Sequence, residues 1–461
     1  MRASVPLLLL LVLPTLPLQS QQPVVSGGEG RRLDSLARAA EAQGFHGNLS
    51  VLRRGEPVLL AGYGLANRET GARFTPGTVV QIGSNVKDFT ATAIYQLVER
   101  GRLSVTDSLH RFFDQLPDDK RGITIHQLLQ HRAGLPQGVA LDDEPLTKEE
   151  MLRRFRGLTL LAPPDTREEY SNLGYSLLAA VIERVSGKSF EAYVAENLFA
   201  PAGMKETGLA LPKFDPARLA HGYTRGKDRG TMLDLPRDTD GHLWSLRGNG
   251  GMLSTLADMH RFYQALRGPA LLQSADHRRA VVPLDEPGVW AGSDRVSFFA
   301  YASFPREEVE ILLASNHQEY PGMRLLREIQ KAVGMPLPSD DGAETVTGPV
   351  FERIPDTGIG RTVAAFVEAY NSGDTAVMRR FVGEHMEPGP DAPPMETRLQ
   401  RYRQMRDDLG RLTLRGVREA PNGEGMVLLA TSESGEPLTL TLGVAPTPPH
   451  RLRGIQVEVG S

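Results

Sequence analysis

Gln81-Ile82-Gly83-Ser84-Asn85-Val86-Lys87-Asp88-Phe89-Thr90 is the stretch on which the reading of this chain turns. Val86, Phe89, Ala93, Ile94 and Leu97 recur at helical spacing, and the β-branched run Thr78-Val79-Val80 leads into them. The pattern predicts a strand or turn feeding a buried helix, with Ser84 at the junction. A serine and a lysine three residues apart share one helix face. At a helix start, free backbone N–H groups and the positive end of the dipole lie beside the hydroxyl. A desolvated lysine loses its proton more readily, so Lys87 can take the proton of Ser84 without a histidine. A plain helix cap followed by a solvated lysine has the same spacing, so the surroundings carry the distinction.

The chain has 461 residues, 40% of them apolar, enough for one large core or two unequal ones. A net charge of −4 without long charged runs argues against nucleic acid as a partner. With no cysteine there are no disulfides, thiolate metal sites or lipidated cysteine anchor. Residues 1–20 read as a secretory signal: Arg2, an apolar run over 5–13, breaks at Pro14 and Pro17, and small Ser20. That run is too short to cross about 30 Å of hydrocarbon as a helix. The expectation is cleavage near Ser20, an exported product (periplasmic or secreted) and no membrane span afterwards.

Further along, 33–43 reads as a helix, and 48–52 and 57–63 as strands joined at Arg54-Gly55. Thr124 is placed to cap a helix over 125–129. Strands are predicted at 298–301 and 309–314, with a closing helix at 325–333. Strictly alternating βα units are absent, which argues against a doubly wound sheet. The fold class predicted over 30–335 is α+β: an antiparallel sheet flanked by helices, plus a helical subdomain. Residues 336–350, rich in Pro, Gly and acidic side chains, read as a linker. Helices are then predicted at 360–371, 375–386 and 396–409, and strands at 412–417, 426–431, 438–442 and 452–459. That implies a separate small α+β domain over 351–461.

Several ordered segments between 45 and 316 resemble the serine β-lactamase and penicillin-recognising family, in its class C β-lactamase, DD-peptidase and β-lactamase-like esterase branch. Ile82-Gly83-Ser84-Asn85-Val86-Lys87 is similar to the family's nucleophile box. The stretch 123–135 ends His131-Arg132-Ala133-Gly134-Leu135, similar to a family segment ending His-Thr-Ser-Gly-Leu. Tyr170-Ser171-Asn172 resembles the Tyr-x-Asn box, and Gly250-Gly251-Met252-Leu253-Ser254-Thr255 with Asp258 another family segment. The resemblance implies acyl transfer with Ser84 as nucleophile, Lys87 as its base, Tyr170 as shared acid and base, and Asn172 holding Lys87 or a substrate amide. Acid–base work by Tyr170 near neutral pH requires a neighbouring cation to pull its phenol below about 10. His131 reads as structural.

The third substrate-facing box departs from the family pattern. Where Lys-Thr-Gly or His-Thr-Gly is usual, the nearest match is Trp290-Ala291-Gly292-Ser293, similar to the Trp-x-Gly of the esterases. An apolar indole then replaces the cation that would bind a substrate carboxylate. The backbone N–H of Ser293 remains available to complete an oxyanion hole with that of Ser84. Trp290, Gly292 and Ser293 are thus expected to bind substrate with Asn172; the alternative for Trp290 is a core aromatic.

No Gly-x-Ser-x-Gly surrounds Ser84, no His-Glu-x-x-His is present, and no phosphate-cradling loop is visible. Neither metal nor cofactor is expected. Residues 360–374 resemble the opening of cone-shaped nuclear-transport-factor or polyketide-cyclase domains, folds that host many functions. The sequence thus points to an exported serine hydrolase acting on a small ester, amide or peptide, with an esterase-type substrate preferred. A DD-peptidase or β-lactamase is the first alternative, and a non-catalytic penicillin-binding-like protein the second.

Overall fold

The computed structural model describes residues 22–459 apart from 210–211, 225–226, 238–240, 242, 294–296, 317–319, 337–349, 388–394, 421–424, 434 and 436. The signal expected at 1–20 and nearly all of the expected linker lie outside the described residues.

Six strands form one antiparallel sheet in the order Val24–Val25, Glu56–Tyr63, Gly47–Arg53, Val309–Ser315, Phe298–Phe304, Gly288–Ser293. Its side chains alternate between two cores, as the pleat dictates. Leu49, Val51, Ala300, Ala302, Phe304, Ile311 and Leu313 point to a core shared with Leu33 and Ala37 of helix Gly27–Glu41 and Leu325 and Ile329 of helix Gly322–Ala332. Phe299, Tyr301, Leu312 and Ala314 face the opposite way, into a larger core built with helices Val86–Glu99 and Asn172–Ser186. Both faces are covered, which is why strands Phe298–Phe304 and Val309–Ser315 read as nearly continuous apolar runs. The architecture is α+β, as the sequence predicts.

Helix Val86–Glu99 is approached through strand Val80–Gln81, paired with Leu253–Ser254. Ser84 lies in a short 3-10 turn, Gly83–Asn85, and the α-helix proper begins at Val86. The sequence places the helix start at Ser84; the tighter turn delays it by two residues. Thr124 caps helix Ile125–Leu129 in a capping box with Gln127, each side chain bonded to the other's backbone N–H.

Residues Gly358–Ser372, Thr375–His385 and Met395–Leu409 form three helices, followed by strands Thr413–Glu419, Gly425–Thr431, Pro437–Val444 and Leu452–Val459. These strands pair in sequence order as an antiparallel meander. They enclose a third core around Phe366, Tyr370, Phe381, Leu428 and Leu440.

Candidate active site

Lys87 extends from the first turn of its helix into packed surroundings and keeps only 6% of its surface. Its Nζ lies 3.0 Å from Ser84 Oγ, 2.8 Å from Asn172 Oδ1 and 2.9 Å from the backbone oxygen of Asn249. The rings of Tyr170 and Tyr175 stand 4.7 and 5.6 Å from the same nitrogen. Burial pulls the amine down to about 7, against the opposing fields of Asp142 and Asp88. Asn172 and Asn249 offer oxygens that only accept. A neutral amine spends both hydrogens on them and leaves its lone pair toward Ser84.

Tyr170 donates from its hydroxyl to Ser84 Oγ at 2.8 Å. Its ring leans on His131, centroids 4.5 Å apart, while 44% of the residue faces solvent. Here the structure corrects the sequence reading. Desolvation pushes the Tyr170 phenol above its ordinary value, not below it, with the hydrogen bond to Ser84 only partly opposing. Lys87, whose nitrogen lies 4.7 Å from the ring, is itself half-neutral near pH 7. Tyr170 is therefore a neutral donor at physiological pH.

His131 has the structural place expected of it. Its Nδ1 accepts from the backbone N–H of Ser171 at 3.1 Å, and burial holds the ring down to about 4, hence neutral. Ser171 caps helix Asn172–Ser186 through Gly174 N–H and donates to the backbone oxygen of Pro136. Backbone N–H of Asn172 is fixed on Gln137 O at 2.7 Å. The Tyr-Ser-Asn segment is thereby pinned at both ends, which aims Tyr170 and Asn172 at the Ser84–Lys87 pair.

Strand Gly288–Ser293 is the sheet edge beside the Ser84 turn. A Cβ on Gly292 would stand 2.6 Å from Ser84 N and 2.5 Å from Asn85 Oδ1. One on Gly83, where φ is +49°, would meet Ser293 N at 2.9 Å. Only glycine at both positions lets the two backbones approach this closely. Trp290 lies on the same strand face as Gly292; its ring stacks on Tyr301 at 5.9 Å and is partly buried against the larger core.

Three groups at the site escape a motif search. Asn249 contributes a backbone oxygen, for which its only sequence signal is the glycine cluster around it. Tyr175 underlies Lys87 from one helical turn beyond Tyr170-Ser171-Asn172. Asp88 adjoins Lys87 in sequence, yet its partner Tyr263 comes from a distant helix: the Tyr263 hydroxyl donates to Asp88 Oδ2 at 2.9 Å. Elsewhere, Glu69, His221 and Asp228 bring their ligand atoms within 4.8 Å of one another at the surface.

The beta-lactamase family model matches residues 33–306, more than half of the chain and all of the site above. The chain belongs to the beta-lactamase family. Within it, the Bacillus subtilis (strain 168) protein PbpX is 28% identical over 289 residues, which are 63% of this chain and 68% of PbpX. Protein flp of Staphylococcus aureus (strain MW2) is 29% identical over 184 residues, only 38% of this chain and 37% of flp. Among solved structures, a penicillin binding protein from Bacillus halodurans superposes with a TM-score of 0.54 at 26% identity. The match covers 64% of this chain and 98% of that one. The family is that of serine β-lactamases and penicillin-binding proteins, whose fold is the one described here. Among the described residues no helix is long and apolar enough to cross a membrane.

Proposed function

We propose that this beta-lactamase family member is an exported serine hydrolase that cleaves an ester or amide through an acyl-enzyme on Ser84. The observation that carries the reading is the desolvated Lys87 amine, 3.0 Å from Ser84 Oγ, with two acceptor-only partners. Lys87 takes the Ser84 proton as Oγ bonds to the substrate carbonyl carbon. Negative charge on the carbonyl oxygen is met by the N–H groups of Ser84 and Ser293. On collapse, Tyr170 gives its proton to the leaving group and regains one from the Lys87 ammonium. Water then attacks the acyl carbon, its proton passing through the same pair to Ser84 Oγ as the Oγ–acyl bond breaks, and the acid departs.

Trp290, with Gly292 and Ser293, lines the substrate side and supplies no cation there. This favours an ester without an obligatory carboxylate, held also by Asn172. A DD-peptidase or β-lactamase activity is the second reading, supported by the name of the Bacillus halodurans relative. Residues 351–461 would then serve as an accessory domain.

Intact-protein mass spectrometry after a fluorophosphonate tests the proposal. One adduct is expected on the native chain and none on Ser84→Ala. Hydrolysis of a p-nitrophenyl ester should fall roughly 10³-fold or more in Lys87→Ala. Turnover of a cephalosporin or a D-Ala-D-Ala peptide, with esters ignored, would move the assignment to the second reading. No adduct with either a fluorophosphonate or a penicillin would leave a binding protein.

A further inference from the structure

Behind the Ser84 turn lies a buried polar chain that the acyl-transfer steps do not use. Asn85, the residue after the nucleophile, is 3% exposed and donates from Nδ2 to the Tyr263 hydroxyl at 3.1 Å. That hydroxyl in turn donates to Asp88 Oδ2 at 2.9 Å. With one hydroxyl hydrogen given to the carboxyl, Tyr263 must accept from Asn85, which fixes the amide orientation. The Tyr263 ring, completely buried, stacks flat on Tyr301 at 4.0 Å and 6°, and Tyr301 carries Trp290 on the next strand. One phenol thus ties three things together: the turn that presents Ser84, the first turn of the lysine helix, and the strands beside the oxyanion position.

We propose that Asp88 and Tyr263 are positioning residues for acyl transfer, holding Asn85, and so the Ser84 turn, against strand Gly288–Ser293, with the Asp88 carboxyl also setting the charge of Lys87. The proposal rests on the acyl-transfer reading above. Geometry supplies the first part: Asn85 Oδ1 and N are the atoms a Cβ on Gly292 would strike, so loosening Asn85 displaces the oxyanion donors. The second part follows from charge. Lys87 is faced by Asp142 from the loop before helix Lys148–Gly157, by the neutral rings of His131, Tyr170 and Tyr175, and by Asp88 on its own helix. Tyr263 is what faces Asp88 from across the core. Asp88 is itself held up to about 7 by dense packing, so the two groups titrate as a pair. A carboxylate at 88 keeps the amine protonated to higher pH than it would be otherwise.

Two variants of the full chain test this, compared with the native protein for fluorophosphonate labelling and for ester hydrolysis across pH 5–9. Tyr263→Phe keeps the ring stack but removes both hydrogen bonds. Its kcat should fall roughly 10- to 100-fold with KM within about threefold, as expected when reacting groups shift by about 1 Å. Asp88→Asn keeps an acceptor for Tyr263 and removes the charge. It should retain most of kcat while the acid limb of kcat/KM moves to lower pH by roughly one unit. A purely structural role would not move that limb. Native kcat in Tyr263→Phe together with an unmoved limb in Asp88→Asn would overturn the proposal. If Tyr263→Phe does not fold, the Asp88→Asn limb decides alone: moved, it supports the role; unmoved, it refutes it. A native chain that takes no label removes the acyl-transfer reading and this role together. A labelled native chain with native-like variants removes only this role.

Discussion

Lys87 and Tyr170 show how little the identity of a titratable residue says about its charge. Desolvation depresses the lysine to about 7, and desolvation raises the phenol. The two shifts move in opposite directions because burial penalises whichever form carries charge. The consequence for rate has a definite sign. Below about pH 7 the amine is protonated and cannot accept the Ser84 proton, so kcat/KM for an activated ester should drop about tenfold per pH unit. Above it the rate should level off, and the neutral phenol should add no further inflection before about pH 10. A stopped-flow pH profile checks this; a plateau continuing down to pH 5 would contradict a lysine base. The Ser84–Lys87 pair was legible in the sequence because three-residue spacing is a local property. The direction of the Tyr170 shift was not, since it depends on how deeply the folded chain buries the ring, on the hydrogen bond to Ser84 and on the field of Asp88.

Among the elements, the 3-10 turn Gly83–Asn85 and the edge strand Gly288–Ser293 form the contact that matters most for the site. Gly292→Ala places a methyl 2.6 Å from Ser84 N and 2.7 Å from Asn85 N. Backbone atoms cannot rotate away, so the strand must move, taking the Ser293 N–H with it. The expected loss is about 10²- to 10³-fold in kcat, the size seen when an oxyanion donor is removed. A fall in Tm of only a few degrees should accompany it. Unchanged hydrolysis in this variant would show that the oxyanion is not held there. Strand bounds were readable where alternation was strong. The run predicted at 298–301 extends to Phe304 because Ala302 and Ser303 are weak apolar signals that gain burial only from neighbouring strands. The helix predicted from 33 begins at Gly27, since its first turn is built of glycines, poor helix formers held by packing against strand Glu56–Tyr63.

At the scale of the whole molecule the described residues form three cores, one on each side of the six-stranded sheet and a third within Gly358–Val459. The pair Arg229–Asp408, at 3.4 Å, links the third to the rest. A segment with its own core and a self-contained sheet should unfold as its own cooperative unit. Differential scanning calorimetry is expected to resolve two transitions, with a covalent inhibitor at Ser84 raising only the larger one. A single transition raised as a whole would mean that the two parts fold together. The amino-acid order by itself determined the Ser84–Lys87 pair, the succession of boxes along the chain, and the alternation that makes the sheet, because each is a matter of near-neighbour spacing. Only the tertiary structure decided which proton each group holds and what supports it. Tyr170 lies 86 positions from Ser84, Asn249 is 162 from Lys87, and Tyr263 is 175 from Asp88. Desolvation and hydrogen bonding act through space between such residues, and nothing in their separate sequence neighbourhoods announces that they will meet.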